Sequence, residues 1–236
     1  RNMYVIEVDN AIFILDCGLA YPENELFGID AVIPDFTYLE KNADKIAGVF
    51  LTHGHEDAIG ALPYFLDKFD VPVFGSELTI SLAKWYVEEA GLDIQFNDYH
   101  AIDEEVEIDF DGTVVRFFRT THTIPDSMGI AVRTDEGNIV YTGNFKFDQT
   151  ATGDYKTEYG QISEIGREGV LALLSDSMEA ESIAENVPES DIQAEVFKTF
   201  QETKGRIIVV AVASNILRIQ QVLNAASRFG RKVFTS

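Results

Sequence analysis

The sequence predicts a layered α/β fold in which strands and helices segregate into α+β layers. Apolar runs and helical patterns alternate in the first third of the chain. Short alternating runs separated by Asp-Gly and Glu-Gly turns fill the middle, and a further helix, strand and helix follow. The 236 residues are enough to bury a full core, and 46% hydrophobic with 25% charged residues is typical of a globular protein.

The first third is predicted to open with a β-hairpin, because apolar runs at residues 3–8 and 11–15 flank a tight turn at Asp9 and Asn10. Residues 18–35 have neither helical nor strand periodicity and are predicted to form a long loop. The elements predicted after this loop are a strand at 46–51, a helix at 58–68, a short strand at 71–74 and a helix at 77–90.

The rest of the chain is predicted to be rich in strands and to end in a second α/β unit. The strands are expected at residues 105–108, 113–120, 129–134, 138–142 and 170–174. A helix at 191–203, a buried strand at 206–212 and a helix at 214–229 capped by Ser214 are expected next. We therefore expect residues 1–190 to form one domain, and residues 191–236 to form a linker helix and the truncated start of another.

Composition narrows the classes of function. The net charge of −22 argues against a broad basic surface for nucleic acid, but it leaves open RNA held in a metal-lined cleft. Cys17 is the single cysteine, so an internal disulfide is excluded and a reducing cytoplasm is the expected location. The longest apolar runs have the length of strands, so no membrane role is expected.

A group of metal-ligand residues follows the predicted strand at 46–51. His53, His55 and Asp57 match the start of the two-metal hydrolase signature H-x-H-x-D-H, whereas Ala58 stands where the last histidine would hold the second metal. His122 and Asn144 follow two other predicted strands. Strand ends hold side chains rigidly, so these residues are predicted to meet at one end of a sheet.

This set of residues suits one metal ion better than two. Three imidazoles and a water satisfy zinc, so a first ion is predicted at His53, His55 and His122. Asp57 would be the sole recognisable ligand of a second ion, since Ala58 offers no donor and Asn144 is a neutral amide. We expect at most one ion of Zn or Mn, with His55 and Asp57 as the catalytic candidates and Asp57 positioning water.

Several further motifs accompany the metal signature and are specific in combination. They lie at residues 15–23, 28–35, 52–64, 124–127, 143–150, 175–177 and 213–215. Together they resemble the ribonuclease J family, in the β-CASP branch of the metallo-β-lactamase superfamily. The resemblance implies a metallo-β-lactamase αββα sandwich with the beginning of an inserted β-CASP α/β domain. It also implies cytoplasmic RNA processing and mRNA decay, and homo-oligomeric assembly.

The sequence departs from the family pattern at the site itself. Active members would carry histidine at Ala58, aspartate at Asn144 and usually histidine at Leu217, and Ala61 replaces the second glycine. This pattern is most similar to the second, active-site-degenerate paralogue of Gram-positive bacteria, which pairs with an active sister. Three such changes favour natural drift over an engineered inactivation.

The resemblance also implies roles for residues outside the metal cluster. Asp16 is expected to brace the histidine loop from behind the metal ligands. Gly28 and Asp30 fall where the family tends to hold a structural calcium. Ser214 and Asn215 are candidates for contacting an RNA phosphate, although an ordinary helix cap explains them equally well.

Three functional hypotheses remain open. The first is a ribonuclease J-type RNA exo/endonuclease subunit whose own activity is weak or absent. The second is a non-catalytic assembly or regulatory partner of an active ribonuclease J, in a hetero-oligomer. The third is a single-metal hydrolase of another substrate, such as a lactone or thioester, which the motifs at 175–177 and 213–215 make less favoured than RNA.

Overall fold

The computed structural model describes residues 2–22, 27–178, 180–182 and 187–235, so Glu23 of the first motif lies outside it. One sheet contains β1 (Tyr4–Val8), β2 (Ala11–Leu15), β3 (Ile46–Phe50), β4 (Val73–Gly75) and β5 (Tyr99–Ala101). The other contains β6 (Glu107–Phe110), β7 (Thr113–Arg119), β8 (Met128–Thr134), β9 (Gly137–Tyr141) and β10 (Val170–Leu174). The helices are α1 (Thr37–Lys41), α2 (Glu56–Ile59), α3 (Leu62–Leu66), α4 (Glu77–Glu89), α5 (Tyr159–Glu168), α6 (Glu189–Glu202) and α7 (Ile216–Arg228).

The first sheet begins with the predicted hairpin and continues in parallel. Strands β1 and β2 pair antiparallel, and Asp9 between them has a positive φ of 52°, as a tight turn requires. Strands β2 to β5 then lie side by side in chain order, each parallel to the last. Parallel neighbours need crossover connections, so the carboxyl ends of these strands share one edge of the sheet.

The second sheet is an antiparallel meander with one parallel strand added. Strands β6 to β9 pair antiparallel in chain order, and β10 joins β9 in parallel after the crossover helix α5. A local register shift occurs in β10 between Val170 and Ala172. The edge strand β10 is largely exposed, with Leu173 at 62%.

The core lies between the two sheets and beneath the helices. Phe13 and Phe50 of the first sheet pack against Phe117 and Ile130 of the second, and all four side chains are buried. A separate cluster fills the space between the first sheet and α1 to α4. On the opposite side, Ile165 of α5 packs against the outer face of the second sheet. The predicted αββα layer order is therefore confirmed.

Some sequence-based predictions of the elements were wrong or incomplete. The predicted helix at 58–68 is the pair α2 and α3, and β5, α1 and α5 were not predicted. The predicted buried strand at 206–212 is wrong, because the segment forms no strand and Val210 is 93% exposed. A strand needs a hydrogen-bonding neighbour, and neither described sheet includes this segment. The predicted boundary after residue 190 stays a prediction and falls in the first turn of α6.

None of the described helices has the length and apolar character needed to cross a bilayer.

Candidate metal centre

The predicted histidines converge where strands of both sheets end. His53 and His55 follow β3, and His122 follows β7. One ring nitrogen from each of these three residues lies within 4.8 Å of the others. No other group of three His, Cys, Asp or Glu side chains in the described part of the chain is close enough to hold a metal. The predicted cluster of imidazoles is thus assembled in the structure.

His53 is held so that one nitrogen is left for a ligand. Thr52 donates its backbone N–H and its hydroxyl to the buried Asp16 carboxylate, at 2.7 Å and 2.8 Å. The Thr52 hydroxyl oxygen therefore accepts from His53 Nδ1, at 2.9 Å. His53 Nε2 is buried and makes no hydrogen bond. A buried nitrogen with an unused lone pair fits a metal ligand.

The predicted bracing role of Asp16 agrees with this arrangement. Asp16 is fully buried at the end of β2, adopts a positive φ of 59°, and also accepts from the Tyr141 hydroxyl at 2.8 Å. Burial raises the pKa of the Asp16 carboxyl to about 6, although His53 and the hydrogen bonds from Thr52 and Tyr141 oppose that rise. The carboxylate remains an acceptor at neutral pH and orients the loop that carries His53.

His55 and His122 face each other across the same space. His55 Nε2 donates to the backbone carbonyl of Ser214 at 3.0 Å, because a carbonyl only accepts. His55 Nδ1 then offers a lone pair and lies 3.1 Å from His122 Nε2. Burial, followed by the charges of His53 and His55, lowers the pKa of His122 to about 3, and burial also lowers the pKa of His55. Both rings are neutral at pH 7, as metal ligation requires.

Ala58 and Asn144 stand where the resemblance implies two ligands of a second metal. Ala58 is fully buried and presents a methyl group. Asn144, which follows β9, donates its amide to Asp57 Oδ2 at 2.8 Å. Burial raises the pKa of Asp57, but His53 and the Asn144 amide outweigh it and hold that pKa well below its usual range. An N–H group therefore points at the carboxylate where a second cation would lie, and these residues do not fit one.

The residues predicted to bind calcium and RNA lie apart from this cluster or touch it through the backbone. Gly28 has a positive φ of 81°, and Asp30 belongs to no potential metal group among the residues described. A calcium site there stays a prediction. Asn215 caps α7 by accepting from the Arg218 N–H at 3.0 Å, so Asn215 and not Ser214 is the cap. Ser214 meets the site through its carbonyl.

An aromatic surface beside the histidines was not predicted. A cavity of about 1600 Å³ lies against His55 and His122 of the histidine cluster, and Tyr21, Trp85 and Tyr86 also line it. The sequence carries a signal for part of this surface, because Leu82, Trp85 and Tyr86 recur at the spacing of one helical face.

Comparison with known proteins places this geometry in a family. The family model described as the metallo-beta-lactamase superfamily matches residues 1–168. "Ribonuclease J 2" of Streptococcus pyogenes serotype M3 is 53% identical over 99% of this chain, and that of Staphylococcus aureus strain NCTC 8325 is 48% identical over the same share. The chain spans 42% of the length of each relative.

A solved structure agrees with the fold. A protein of unknown function from Enterococcus faecalis V583 matches with a TM-score of 0.60 and 14% identity, over 94% of this chain and 59% of that one. At this identity the likeness concerns the fold alone. The matched family model, the two facing sheets and the histidines at their strand ends establish that the chain belongs to the metallo-β-lactamase superfamily.

Proposed function

We propose that the chain is part of a ribonuclease J-type RNA hydrolase subunit, acting in cytoplasmic RNA processing and mRNA decay with weak or absent activity of its own. The observation that carries the proposal is one assembled three-histidine cluster beside Asp57, whose carboxylate accepts from the Asn144 amide. Ala58, where the resemblance implies a histidine ligand, offers no donor. The relatives named "Ribonuclease J 2" support RNA as the substrate. In this proposal residues 191–236 begin the second domain.

The first metal position has the donors that catalysis needs. His53, His55 and His122 would hold one Zn or Mn ion, which when bound supplies positive charge and makes a water more acidic. Asp57 is ionised at neutral pH and its Oδ1 lies 3.6 Å from His53 Nε2, so it is placed to orient a water at the cluster by accepting a hydrogen bond from it. His55 keeps its coordinating nitrogen aimed inward through the Ser214 carbonyl.

The second position explains why activity should be weak. Hydrolysis of a phosphodiester builds negative charge on phosphate oxygens, and a pair of cations normally stabilises that charge. Here a methyl group and an amide replace two of the donors that would hold the second cation. The chain therefore retains residues that can orient a water. It lacks part of the positive charge that would stabilise the negative charge developing on the phosphate oxygens.

A non-catalytic assembly subunit is the second candidate function. The Asn144 amide favours it, because this hydrogen bond satisfies Asp57 without any cation. A side chain arranged in this way stabilises the folded chain and does not serve hydrolysis. In this role the protein would form homo-oligomers and hetero-oligomers with an active ribonuclease J paralogue.

Turnover of 5′-phosphorylated RNA by the parent chain and by an Ala58→His/Asn144→Asp variant tests the proposal. Slow metal-dependent turnover by the parent and faster turnover by the repaired variant are expected, and His53→Ala should abolish both. Equal rates for parent and repaired variant would contradict the loss of the second position. No turnover by either, together with faster turnover by an active ribonuclease J when this chain is added, would favour the assembly subunit.

A further inference from the structure

The cavity at the metal cluster has one strongly aromatic side, which we call the aromatic wall and define as Tyr21, Trp85 and Tyr86. Trp85 is 52% exposed and Tyr21 is 58% exposed. Large aromatic side chains usually bury most of their surface, so two half-exposed rings in one cavity are unusual. The wall and the histidines share this cavity, so a ligand long enough can touch both.

The segment that carries His53 and His55 also holds the aromatic wall in place. Glu56 follows His55 directly, and its two carboxylate oxygens accept from the Tyr21 and Tyr86 hydroxyls, each at 2.7 Å. Trp85 packs edge to face against Tyr86, with ring centroids 5.1 Å apart. Because one carboxylate fixes both phenol groups, the rings have a set position relative to the histidine cluster. Such preorganisation favours specific binding of a ligand over nonspecific adsorption to an apolar surface.

Positive charge is scarce where the wall meets the cluster. Lys146 is the single Lys or Arg side chain among the described residues that line the cavity, and it pairs with Glu189 at 2.7 Å. Glu56, Asp57 and Asp176 line the same cavity. The charged side chains of the cavity therefore cannot supply the affinity for a phosphate chain here, in agreement with the net charge of −22.

We propose that the aromatic wall stacks the bases of a single-stranded nucleic acid whose phosphate lies at the histidine cluster. Every base has a flat π face, so stacking is tolerant of sequence and needs no positive charge. A paired duplex hides its base faces and would not use the wall. The inference rests on the proposed function for the identity of the strand as RNA.

Trp85 is the only tryptophan of the chain, so its fluorescence reports on the wall directly. The purified chain is titrated in EDTA, which prevents metal-dependent hydrolysis, with a single-stranded RNA oligonucleotide, with its duplex and with an abasic strand of equal length. The single strand is expected to quench Trp85 fluorescence saturably, whereas the duplex and the abasic strand are not. Binding of a labelled strand, followed by anisotropy, should weaken roughly 5- to 150-fold in Trp85→Ala and in Tyr21→Ala.

Tyr64→Ala is the matched control, because Tyr64 is an exposed aromatic residue that does not line the cavity, and its affinity should equal that of the parent. Equal quenching by the abasic strand, binding without quenching, or an unstructured peptide that quenches as strongly as RNA would each overturn the stacking proposal. A chain that stacks RNA but never hydrolyses it with metal contradicts only the proposed hydrolase. A chain that hydrolyses RNA, but whose Trp85 fluorescence is not quenched by RNA, contradicts only the stacking proposal.

Discussion

Replacing Asn144 by aspartate should destabilise the metal-free chain, because it places a second carboxylate against Asp57. The Asn144 amide lies 2.8 Å from Asp57 Oδ2. At that separation two carboxylates would repel by roughly 6 kcal/mol with an effective dielectric constant of about 20. Uptake of a proton limits the penalty, since neutralising one carboxyl with a pKa near 4 costs only about 4 kcal/mol at pH 7.

The comparison with Asn144→Ala separates repulsion from the lost hydrogen bond. Removing the amide alone should cost about 1.5–3 kcal/mol, the usual range for a hydrogen bond to a charged group. Asn144→Asp should then lose up to about 4 kcal/mol more at pH 7. In the folded state the carboxyl introduced by Asn144→Asp has a raised pKa. The additional loss in the free energy of unfolding is therefore absent below pH 4 and grows as the pH rises.

Urea denaturation in EDTA, followed from pH 4 to pH 8, measures these free energies of unfolding. Addition of Mn²⁺ should stabilise Asn144→Asp more than Asn144→Ala, because both variants keep the three histidines and only the aspartate offers a cation a second carboxylate. If Asn144→Asp and Asn144→Ala unfold alike at every pH, the assigned amide-to-carboxylate contact is wrong.

Three other changes test the support of the cluster. In the metal-free chain His122 has a pKa of about 3, below its ordinary 6.5, so the unfolded state binds more protons and stability should fall by about 2 kcal/mol between pH 6.5 and pH 5. That slope should flatten in His122→Asn when denaturation is repeated at each pH. Thr52→Val removes the hydroxyl that joins Asp16 to His53, so isothermal titration should find metal affinity about 10- to 100-fold lower, with wild-type affinity contradicting the bracing role. Gly143→Ala should cost about 1–2 kcal/mol, because Gly143 has a φ of 58° and a new methyl would press on Thr52; an unchanged melting temperature would contradict this strain.

The main elements and the histidine cluster were predictable because their signals are local. His53 and His55 lie two residues apart after an apolar strand, and the strand end fixes their direction. The family resemblance added Asp16, whose carboxylate lies behind Thr52. The hairpin and the meander were equally visible, since alternation and turn residues determine both.

Contacts between distant backbone segments were not predictable. The Ser214 carbonyl accepts a hydrogen bond from His55, which is 159 residues away in the sequence. Every residue has a backbone carbonyl, so residue types do not show which carbonyl makes such a contact. The segment 206–212 has the apolar character of a buried strand, but a strand also depends on a neighbour that local pattern does not reveal. The aromatic wall was not predicted either, because the hydrogen bonds from Tyr21 and Tyr86 to Glu56 join segments that are distant in the sequence.

The number of metal ions per chain tests the central claim most directly. The claim is that His53, His55 and His122 keep one metal position while Ala58 and Asn144 have closed the other. Elemental analysis after saturation with Zn²⁺ or Mn²⁺ and dialysis should find one ion per chain, and none in His53→Ala. Two ions in the unaltered chain, or one ion retained by His53→Ala, would contradict it.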